Sequence, residues 1–411
     1  MTTPDFPRVL FVDQTGQMGG AELCLLDVVR PLAGRCRVLL MDDGPFRQKL
    51  ETAGVDVTVA AMPAELAGFR RESGLDGRLP TMAWRLVRHV WSLRPLIREA
   101  DLVYVNTQKA AVMVAPLARL MGKPVIWHMH DLVDAAHFGA TSRRVISLVG
   151  KHFVSRMIAI SHAVAEGLRR LGTLPPIEVV HNGIDPALFD AVAQGRGAAL
   201  RRTLGLDGVP VLGVYGRVVP WKGQHVAIAA LARLPGAHLL IVGSALFGGD
   251  GYVSALKAEA ERLGVADRVH FLGQVDDIPA TMAAVDLILH TSVAPEPFGR
   301  VIVEGMMAGR PVIATAGGAV AEIVDHGRTG LIAPAGGDVA LAGLVSMLLS
   351  DHGRRSIMAA AGRAHARKHF DAADYVARVH AVIAEVGERQ AENRLTHPVP
   401  GGQGATSRSG V

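Results

Sequence analysis

Short runs of valine, isoleucine and leucine alternate with amphipathic stretches of ten or more residues along most of this chain. Such alternation is typical of βαβ units, in which helices cover both faces of a parallel sheet. Seven strands are predicted in the first half, at 8–13, 36–41, 55–60, 101–105, 124–128, 156–160 and 177–180. Six are predicted in the second half, at 211–215, 237–243, 268–272, 285–290, 311–314 and 330–332. The pattern therefore predicts an α/β protein with two doubly wound parallel sheets.

The 411 residues are enough for two domains, each with its own core. The polar, glycine-bearing segment 190–197 lies between the two strand series, and we interpret it as the linker region. This places an N-terminal domain at 1–190 and a C-terminal domain at 191–370. Helical periodicity continues over 371–389, which predicts a helix that packs back on the first domain. The polar end of the chain, 390–411, is expected to be disordered because it offers too little apolar surface to offset the entropy of ordering.

Charge and cysteine content exclude several classes of protein. Lysine and arginine number 43 against 38 aspartate and glutamate, and the net charge of +5 is spread over both halves, so nucleic-acid binding is not expected. Cys24 and Cys36 cannot supply a disulfide framework or a four-ligand zinc site. From the sequence we expect neither a secretory leader nor a membrane helix, since no apolar run reaches the roughly 18 residues that such a helix needs. We expect a cytoplasmic protein, with a position at the inner face of the cytoplasmic membrane left open.

A glycine-rich turn follows the first predicted strand, with Gly19 and Gly20 just before a helix. Glycine lets a backbone approach a phosphate closely, and the free N–H groups at a helix N-terminus attract an anion. The spacing is neither G-x-G-x-x-G nor G-x-x-x-x-G-K-[ST], so the turn indicates neither a dinucleotide site nor a Walker motif. Taken alone, it is compatible with a phosphate contact and with a purely structural role.

Two histidines, His128 and His130, lie at the end of the fifth predicted strand. Residues two apart share one face of a strand, so the two imidazoles could together hold a metal ion. No third ligand stands at a helpful spacing, and Asp131 is expected on the other face. We therefore favour His130 as a hydrogen-bond partner for a substrate, with a metal-dependent hydrolase as the alternative.

Arg217 and Lys222 lie in the loop that follows the first strand of the second series, just before a predicted helix. Arginine presents a planar fork of donors, and lysine presents a mobile positive charge. We predict that this loop binds a diphosphate. Two solvated cations are the alternative interpretation.

The segment 290–305 predicts a strand, a loop and a helix that begins near Pro297. The backbone N–H groups of Gly299, Arg300 and Val301 would then lie in the first turn, where they have no helical partner. The helix dipole adds to their attraction for an anion. This segment predicts a second phosphate contact.

Two carboxylates, Glu296 and Glu304, stand eight residues apart in the same segment. Carboxylates do not bind phosphate, but they suit the vicinal hydroxyls of sugars, from which each can accept two hydrogen bonds. A sugar on each side of a diphosphate is a nucleotide sugar. A nucleotide sugar is therefore the expected ligand.

Taken in order along the chain, these motifs resemble the family 4 glycosyltransferases of the GT-B fold. The resemblance spans residues 9 to about 332. It rests on the Gly-Gly-Ala-Glu turn, His130-Asp131, Ile160-Ser161-His162-Ala163-Val164, Val180-His181-Asn182-Gly183-Ile184-Asp185, the Gly-Arg…Lys-Gly loop and the Glu-x7-Glu run that contains Pro-Phe-Gly.

The resemblance implies retaining transfer from a nucleotide sugar, in a cleft between two Rossmann-like domains that hold the acceptor and the donor. In this family Arg217 and Lys222 would neutralise the diphosphate, Glu304 would bind the ribose, and Glu296 and His130 would contact the transferred sugar. The implied catalytic residues are His130, Arg217, Lys222 and Glu296. The implied donor contacts are Gly19, Gly20, Arg217, Lys222, Gln274, Val275, Glu296, Phe298, Gly299, Arg300, Val301 and Glu304, with Gln274 and Val275 near the base. No metal and no other cofactor is expected, since the family works without one and the chain has no Asp-x-Asp.

Two positions depart from the family pattern. Many relatives have alanine where this chain has Gly305 and leucine where it has Arg300, so the motif does not identify the donor. Arg300 could contact a phosphate or a sugar, or it could face solvent. No protein nucleophile is evident on the far face of the sugar, which for a retaining enzyme favours front-side attack with the leaving phosphate accepting the proton.

The acceptor side is represented by segment 81–98, which mixes Trp84 and Trp91 with four arginines, at 85, 88, 94 and 98. This is the composition of an interfacial helix, but we favour a core-facing helix with solvated arginines, with contact to a membrane surface as the alternative. If the segment touches a membrane surface, the acceptor is lipid-linked. The expected role is then synthesis of a cell-envelope or extracellular polysaccharide or glycolipid, with a glycan or a lipid-linked glycan as acceptor.

Three other functions stay open at this point. A GT-B epimerase would bind the same nucleotide sugar but would need cleft carboxylates for acid–base elimination and no second substrate. A metal-dependent hydrolase would use His128 and His130. A non-catalytic sensor of nucleotide sugars would bind without turnover.

Overall fold

The computed structural model describes residues 6–62, 79–135, 137–189, 191–245 and 250–396. Both predicted sheets occur in these ranges, with seven and six strands that all run parallel. The prediction of two doubly wound α/β units is confirmed. Each observed strand lies within two residues of its predicted bounds.

The first sheet has the strand order β3-β2-β1-β4-β5-β6-β7. Its strands are β1 Val9–Asp13, β2 Cys36–Leu40, β3 Asp56–Val59, β4 Leu102–Val105, β5 Val125–Met129, β6 Arg156–Ala159 and β7 Ile177–Val179. The helices of this part are α1 Gly20–Val29, α2 Pro45–Thr52, α3 Leu79–Ser92, α4 Arg94–Glu99, α5 Gln108–Leu120, α6 Ala140–Phe153 and α7 His162–Arg169. The central strands are buried along their whole length because helices cover both faces.

The second sheet has the strand order β10-β9-β8-β11-β12-β13. Its strands are β8 Val211–Tyr215, β9 His238–Val242, β10 Val269–Gly273, β11 Leu287–His290, β12 Val312–Thr315 and β13 Leu331–Ala333. The helices are α8 Ala191–Thr203, α9 Gln224–Leu231, α10 Asp250–Arg262, α11 Ile278–Ala283, α12 Arg300–Met307, α13 Val320–Ile323, α14 Asp338–Ser350, α15 His352–His369 and α16 Ala372–Thr396. In each sheet the strand order reverses beside the first strand, and ligands of open α/β sheets bind at such a reversal.

The segment interpreted as a linker is not a loop from residue 191 onward, because it begins α8. Arg196 donates two hydrogen bonds to Asp277 at the start of α11, at 2.5 and 3.2 Å. A β-carbon at Gly197 would stand 2.6 Å from the β-carbon of Ala283. Glycine thus permits close packing of two helices here, whereas the sequence pattern had indicated chain flexibility.

The last helix, α16, packs against the N-terminal half of the chain. Tyr375, Val379 and Ile383 are buried in one apolar cluster with β1, β2 and α1. Glu385 forms an ion pair with Arg156 at 2.6 Å. The helix continues to Thr396, so the expectation of disorder is wrong for 390–396, while 397–411 lie outside the described residues. Within the described ranges, no helix combines the length and the apolar character that a membrane span requires.

Candidate active site

The carboxyl edge of the second sheet carries Lys222 on a short 3₁₀ turn, Pro220–Lys222, between β8 and α9. Gly223 ends this turn with a φ of 70°, and a β-carbon there would overlap the carbonyl group of Thr291. Any other residue would push the turn away from β11, so this glycine brings Lys222 close to the loop after that strand. Arg217 is exposed on the same loop, with its guanidinium 5.4 Å from the Trp221 ring.

Glu296 occupies the centre of this edge. Only 8% of the residue is exposed, and its Oε2 accepts hydrogen bonds from Lys222 Nζ at 2.7 Å, His290 Nε2 at 3.0 Å and Ser292 Oγ at 2.9 Å. Burial alone would raise the pKa of Glu296, but the His290 hydrogen bond and the Lys222 charge outweigh it and hold that pKa well below its usual value. The Glu296 carboxylate is therefore charged at every physiological pH. Its hydrogen bond from Lys222 directly joins two of the residues that the sequence predicts to be catalytic.

Helix α12 begins at Arg300 rather than near Pro297. Its N-cap is Gly299, whose φ of 98° lies in the left-handed region that a proline-initiated helix would not need. In the part of the chain that the structure describes, the first N–H groups of this helix, those of Arg300 and Val301, make no hydrogen bond. The predicted anion contact of these groups stays a prediction.

Phe298 is a packing residue. It is 2% exposed, and its ring lies 6.0 Å from that of His181 and 5.8 Å from that of Phe370. Its ring is enclosed in this cluster, and the prediction that Phe298 contacts the donor stays a prediction.

Arg300 crosses from the second half of the molecule to the first. Its guanidinium donates to Cys24 Sγ at 3.1 Å and to the carbonyl oxygen of Gly183 at 3.4 Å, and its Nε lies 3.5 Å from Glu304 Oε1. The side chain also passes beside Gly20, where an added β-carbon would stand 3.3 Å from Arg300 Cδ. Arg300 does not face solvent. It pairs with the glutamate predicted to bind ribose and closes the cleft beside the glycine turn.

Glu304 lies one helical turn after Arg300 and is largely buried. Burial raises the pKa of Glu304, and the Arg300 charge opposes that rise. Gln274 and Val275 follow β10 on the same sheet edge, and Ser244 Oγ donates to Gln274 Oε1 at 3.4 Å. Residues predicted for the ribose and for the base therefore occupy the carboxyl edge of one sheet.

The facing edge of the first sheet carries Gly19 as the N-cap of α1, followed by Gly20 and Glu22. Burial raises the pKa of Glu22 to about 7, with a further contribution from the nearby Asp13 charge, while Arg217 acts in the opposite direction. A β-carbon at Gly20 would stand 3.3 Å from Cδ of Arg300, which belongs to the second half of the molecule, so the two edges lie opposite each other. The sequence reasoning missed both carboxylates.

His130 follows β5 on this edge, and its Nε2 lies 3.0 Å from Asn106 Oδ1. Burial and the Arg300 charge lower the pKa of His130 to about 3, so the ring is neutral. Its ring centroid is 4.1 Å from that of His128, whose Nδ1 is 2.6 Å from the Tyr104 hydroxyl. The two rings share a face, as predicted, but among the described residues no third potential ligand groups with them. The donor set needed for the hydrolase alternative is thus incomplete there.

A second interdomain contact was not anticipated. Glu322 on α13 accepts hydrogen bonds from the backbone N–H groups of His162 and Ala163 at the start of α7, at 2.8 and 2.7 Å, and from His181 Nε2 at 2.9 Å. The ligand atoms of His162, His181 and Glu322 lie within 4.8 Å of one another. The Glu322 carboxylate already caps the start of α7. His162, His181 and Glu322 therefore join the two domains.

Family models match both halves of the chain. Residues 198–365 match the model of group 1 glycosyl transferases, and residues 18–188 match that of glycosyltransferase family 4. Anabaena Alr3699/HepE, solved in complex with UDP-glucose, is 36% identical, with a TM-score of 0.83 over 92% of this chain and 100% of that one.

Two further relatives are mannosyltransferases. A GDP-mannose-dependent α-(1-6)-phosphatidylinositol monomannoside mannosyltransferase of Mycobacterium tuberculosis is 29% identical over 74% of this chain and 84% of its own length. The lipopolysaccharide core biosynthesis mannosyltransferase LpcC of Rhizobium leguminosarum is 28% identical over 65% and 73%. The resemblance seen in the motifs is confirmed: the chain is a glycosyltransferase of family 4 with the two-domain GT-B fold.

Proposed function

We propose that this enzyme moves a hexose, with retention of configuration and without a metal, from a UDP-sugar to a hydroxyl of a glycan or lipid-linked acceptor. The observation that carries the proposal is the buried Lys222–Glu296 pair at the carboxyl edge of the second sheet, 2.7 Å long and opposite the His130 edge. UDP-glucose is the first donor to test, because the relative of 36% identity was solved in complex with it.

The charge of the leaving diphosphate is met by three groups in this proposal. Lys222 and Arg217 supply positive charge, and the first N–H groups of α12 supply hydrogen bonds and the positive end of a helix dipole. Lys222 is paired with Glu296, so a bound diphosphate would share or replace that partner. These groups do the electrostatic work that a divalent cation does in other transferases.

In this proposal the sugars on either side of the diphosphate form hydrogen bonds with two carboxylates. Glu296 would accept hydrogen bonds from hydroxyls of the transferred hexose, and Glu304 from those of the ribose, each as a charged acceptor. His130 would contact the hexose from the other side of the cleft. Gln274 and Val275 would lie against the base.

The chemical step needs no protein nucleophile. The bond between C1 of the hexose and the phosphate oxygen breaks, and the acceptor oxygen forms its bond to C1 on the same face. The proton of the acceptor hydroxyl passes to the departing phosphate oxygen, so atoms and charge balance within the two substrates. The protein lowers the barrier through its preorganised charges.

The best test is a panel of UDP- and GDP-sugars with lipid-linked glycan acceptors, followed by product analysis. We expect a new α-configured glycoside from UDP-glucose, and we expect EDTA to leave the rate unchanged. An epimerised donor, or activity lost in EDTA and restored by zinc, would contradict the proposal. Binding without turnover of any donor would favour a sensor instead.

We also propose that segment 81–98 rests on a membrane surface in a cell-envelope pathway. Trp84, Val87 and Trp91 lie at helical spacing on one face of α3, and the tryptophans are 60% and 52% exposed. The guanidinium of Arg88 lies 5.1 Å from the Trp84 ring, and that of Arg94 lies 4.1 Å from the Trp91 ring. Exposed indoles flanked by arginines suit the interface of an anionic lipid bilayer.

Replacement of both tryptophans should reveal this contact. We expect the Trp84→Ser/Trp91→Ser variant to lose most of its co-sedimentation with vesicles of phosphatidylglycerol and phosphatidylcholine, because the insertable apolar area is gone. Ile357→Ser is the matched control, since Ile357 is 74% exposed in the other half of the molecule. Equal binding by all three proteins, or binding that ignores phosphatidylglycerol, would refute the contact.

A further inference from the structure

Three polar residues lie at the carboxyl ends of three neighbouring strands of the first sheet. Asp13 ends β1, Asn106 comes directly after β4, and His130 comes directly after β5. These strands are adjacent in the order β1-β4-β5, and the register pairs Val12 with Val105 and Val105 with Trp127. The carboxyl ends of the strands therefore present the three side chains as one row at the cleft.

The orientation of the Asn106 amide follows from its neighbours. Asn106 Nδ2 donates to Asp13 Oδ2 at 2.7 Å and to the carbonyl oxygen of Ala21 at 3.3 Å. Both partners offer oxygen acceptors, and the backbone N–H of Thr15 donates to the other Asp13 oxygen at 3.1 Å. A flipped amide would set its oxygen against these two acceptors, so Oδ1 must point to His130.

This orientation determines which ring nitrogen of His130 carries the proton. Asn106 Oδ1 can only accept, and it lies 3.0 Å from His130 Nε2, so Nε2 must donate. Burial and the Arg300 charge lower the pKa of His130 to about 3, so the neutral ring has a single proton. That proton is on Nε2, and Nδ1 is left with a lone pair. In the described part of the chain Nδ1 has no hydrogen-bond partner, and the side chain is half-buried at the cleft.

Other charged groups around the row do not change this assignment. Arg300 from α12 disfavours a second proton on the ring, and the neighbouring ring of His128 from β5 is itself bonded through Nδ1 to Tyr104. The Asp13 charge raises the pKa of Glu22 on α1, whereas the shift in the pKa of His130 comes from burial and Arg300. Burial raises the pKa of Asp13 to about 6, so above that pH its carboxylate is an acceptor only.

We propose that Asp13 and Asn106 are positioning residues that lock His130 as the Nε2–H tautomer, so that Nδ1 accepts a hydrogen bond from a hydroxyl of the transferred sugar. The identity of that hydroxyl group rests on the proposed function, whereas the tautomer does not. The site thereby selects a hydrogen-bond donor at this point of the sugar and disfavours a carbonyl or carboxylate oxygen there.

The direct test is nitrogen NMR of the full chain labelled with ¹⁵N-histidine. Assignment of the His130 signals follows from their disappearance in His130→Gln. We expect the shifts of the Nε2–H form between pH 6.5 and 8 without any ligand. A proton on Nδ1, or an even mixture of the two tautomers, would overturn the proposal.

The variant Asn106→Leu distinguishes a positioning role of Asn106 from a packing role. Asn106→Leu removes the acceptor of the Nε2 proton, so we expect the tautomers to mix and the affinity for UDP-glucose to fall about tenfold, with the affinity for UDP unchanged. Gln108→Leu is the matched control: this amide bonds Asp131 at 3.0 Å on the same edge and should leave the His130 tautomer as it is. A variant that is merely less stable, with the tautomer intact, would assign Asn106 a packing role only.

The two proposals can fail separately. If UDP-glucose does not bind but His130 is the Nε2–H tautomer, the donor assignment is wrong and the lock stands. If UDP-glucose is turned over by an enzyme whose His130 carries its proton on Nδ1, the proposed function stands and the lock is refuted.

Discussion

Replacing Lys222 by methionine is expected to lower glycosyl transfer by about two orders of magnitude or more. The reason is that a preorganised charge facing a developing negative charge contributes on the order of 3 kcal/mol in a site shielded from water. Lys222 Nζ is held 2.7 Å from Glu296 by a turn that only glycine at 223 allows, so the charge is positioned before the donor arrives. Initial rates with saturating donor measure the effect.

The variant has a second consequence that must be separated from the first. Loss of Lys222 leaves Glu296 buried with only His290 and Ser292 as partners, and an under-compensated buried charge destabilises the fold. The double variant Lys222→Met/Glu296→Gln removes that charge as well. If transfer returned in the double variant, the loss in the single variant would be structural and the role at the diphosphate would be wrong. Lys257→Met, on α10, is the control for removing a lysine as such.

The second large effect is that variants of Glu304 and Glu296 are expected to weaken the binding of different ligands. Glu304→Gln is expected to weaken UDP and UDP-glucose alike by about tenfold to a hundredfold, since it would remove a charged hydrogen bond to the ribose that both ligands share. Glu296→Gln is expected to weaken UDP-glucose by a similar factor without lowering the affinity for UDP. Freed from Glu296, Lys222 has its full charge available to the diphosphate. Calorimetry with both ligands measures the difference.

Arg300 provides the control for this comparison. Its Nε lies 3.5 Å from Glu304, so Glu304→Gln could act by releasing the guanidinium rather than by losing a contact to the ribose. Arg300→Leu/Glu304→Gln removes that possibility. Recovery of UDP affinity in the double variant, or equal losses of both ligands in both single variants, would contradict the division of roles.

Features that depend on residues close together in the chain could be predicted from the sequence, whereas contacts between residues far apart in the chain could not. Strand positions followed from runs of apolar residues, which are short-range patterns, and all thirteen described strands lie within two residues of their predicted bounds. Predictions from neighbouring residues were wrong where glycine and proline have more than one structural role. Gly197 permits close packing of two helices in the segment interpreted as a linker, and the helix of the donor loop begins at Arg300 after the N-cap Gly299 rather than near Pro297.

The sequence by itself determined the two parallel sheets, the loops that carry chemistry and the membership of a glycosyltransferase family, because each is written in residues close together in the chain. The tertiary structure alone decided which side chains meet. Asn106 is 93 residues from Asp13 and 24 from His130, and Arg300 reaches Cys24 across 276 residues. Such contacts depend on strand order and on how the domains face each other, which no local pattern encodes. For the same reason the protonated nitrogen of His130 follows from its neighbours in space and not from its neighbours in sequence.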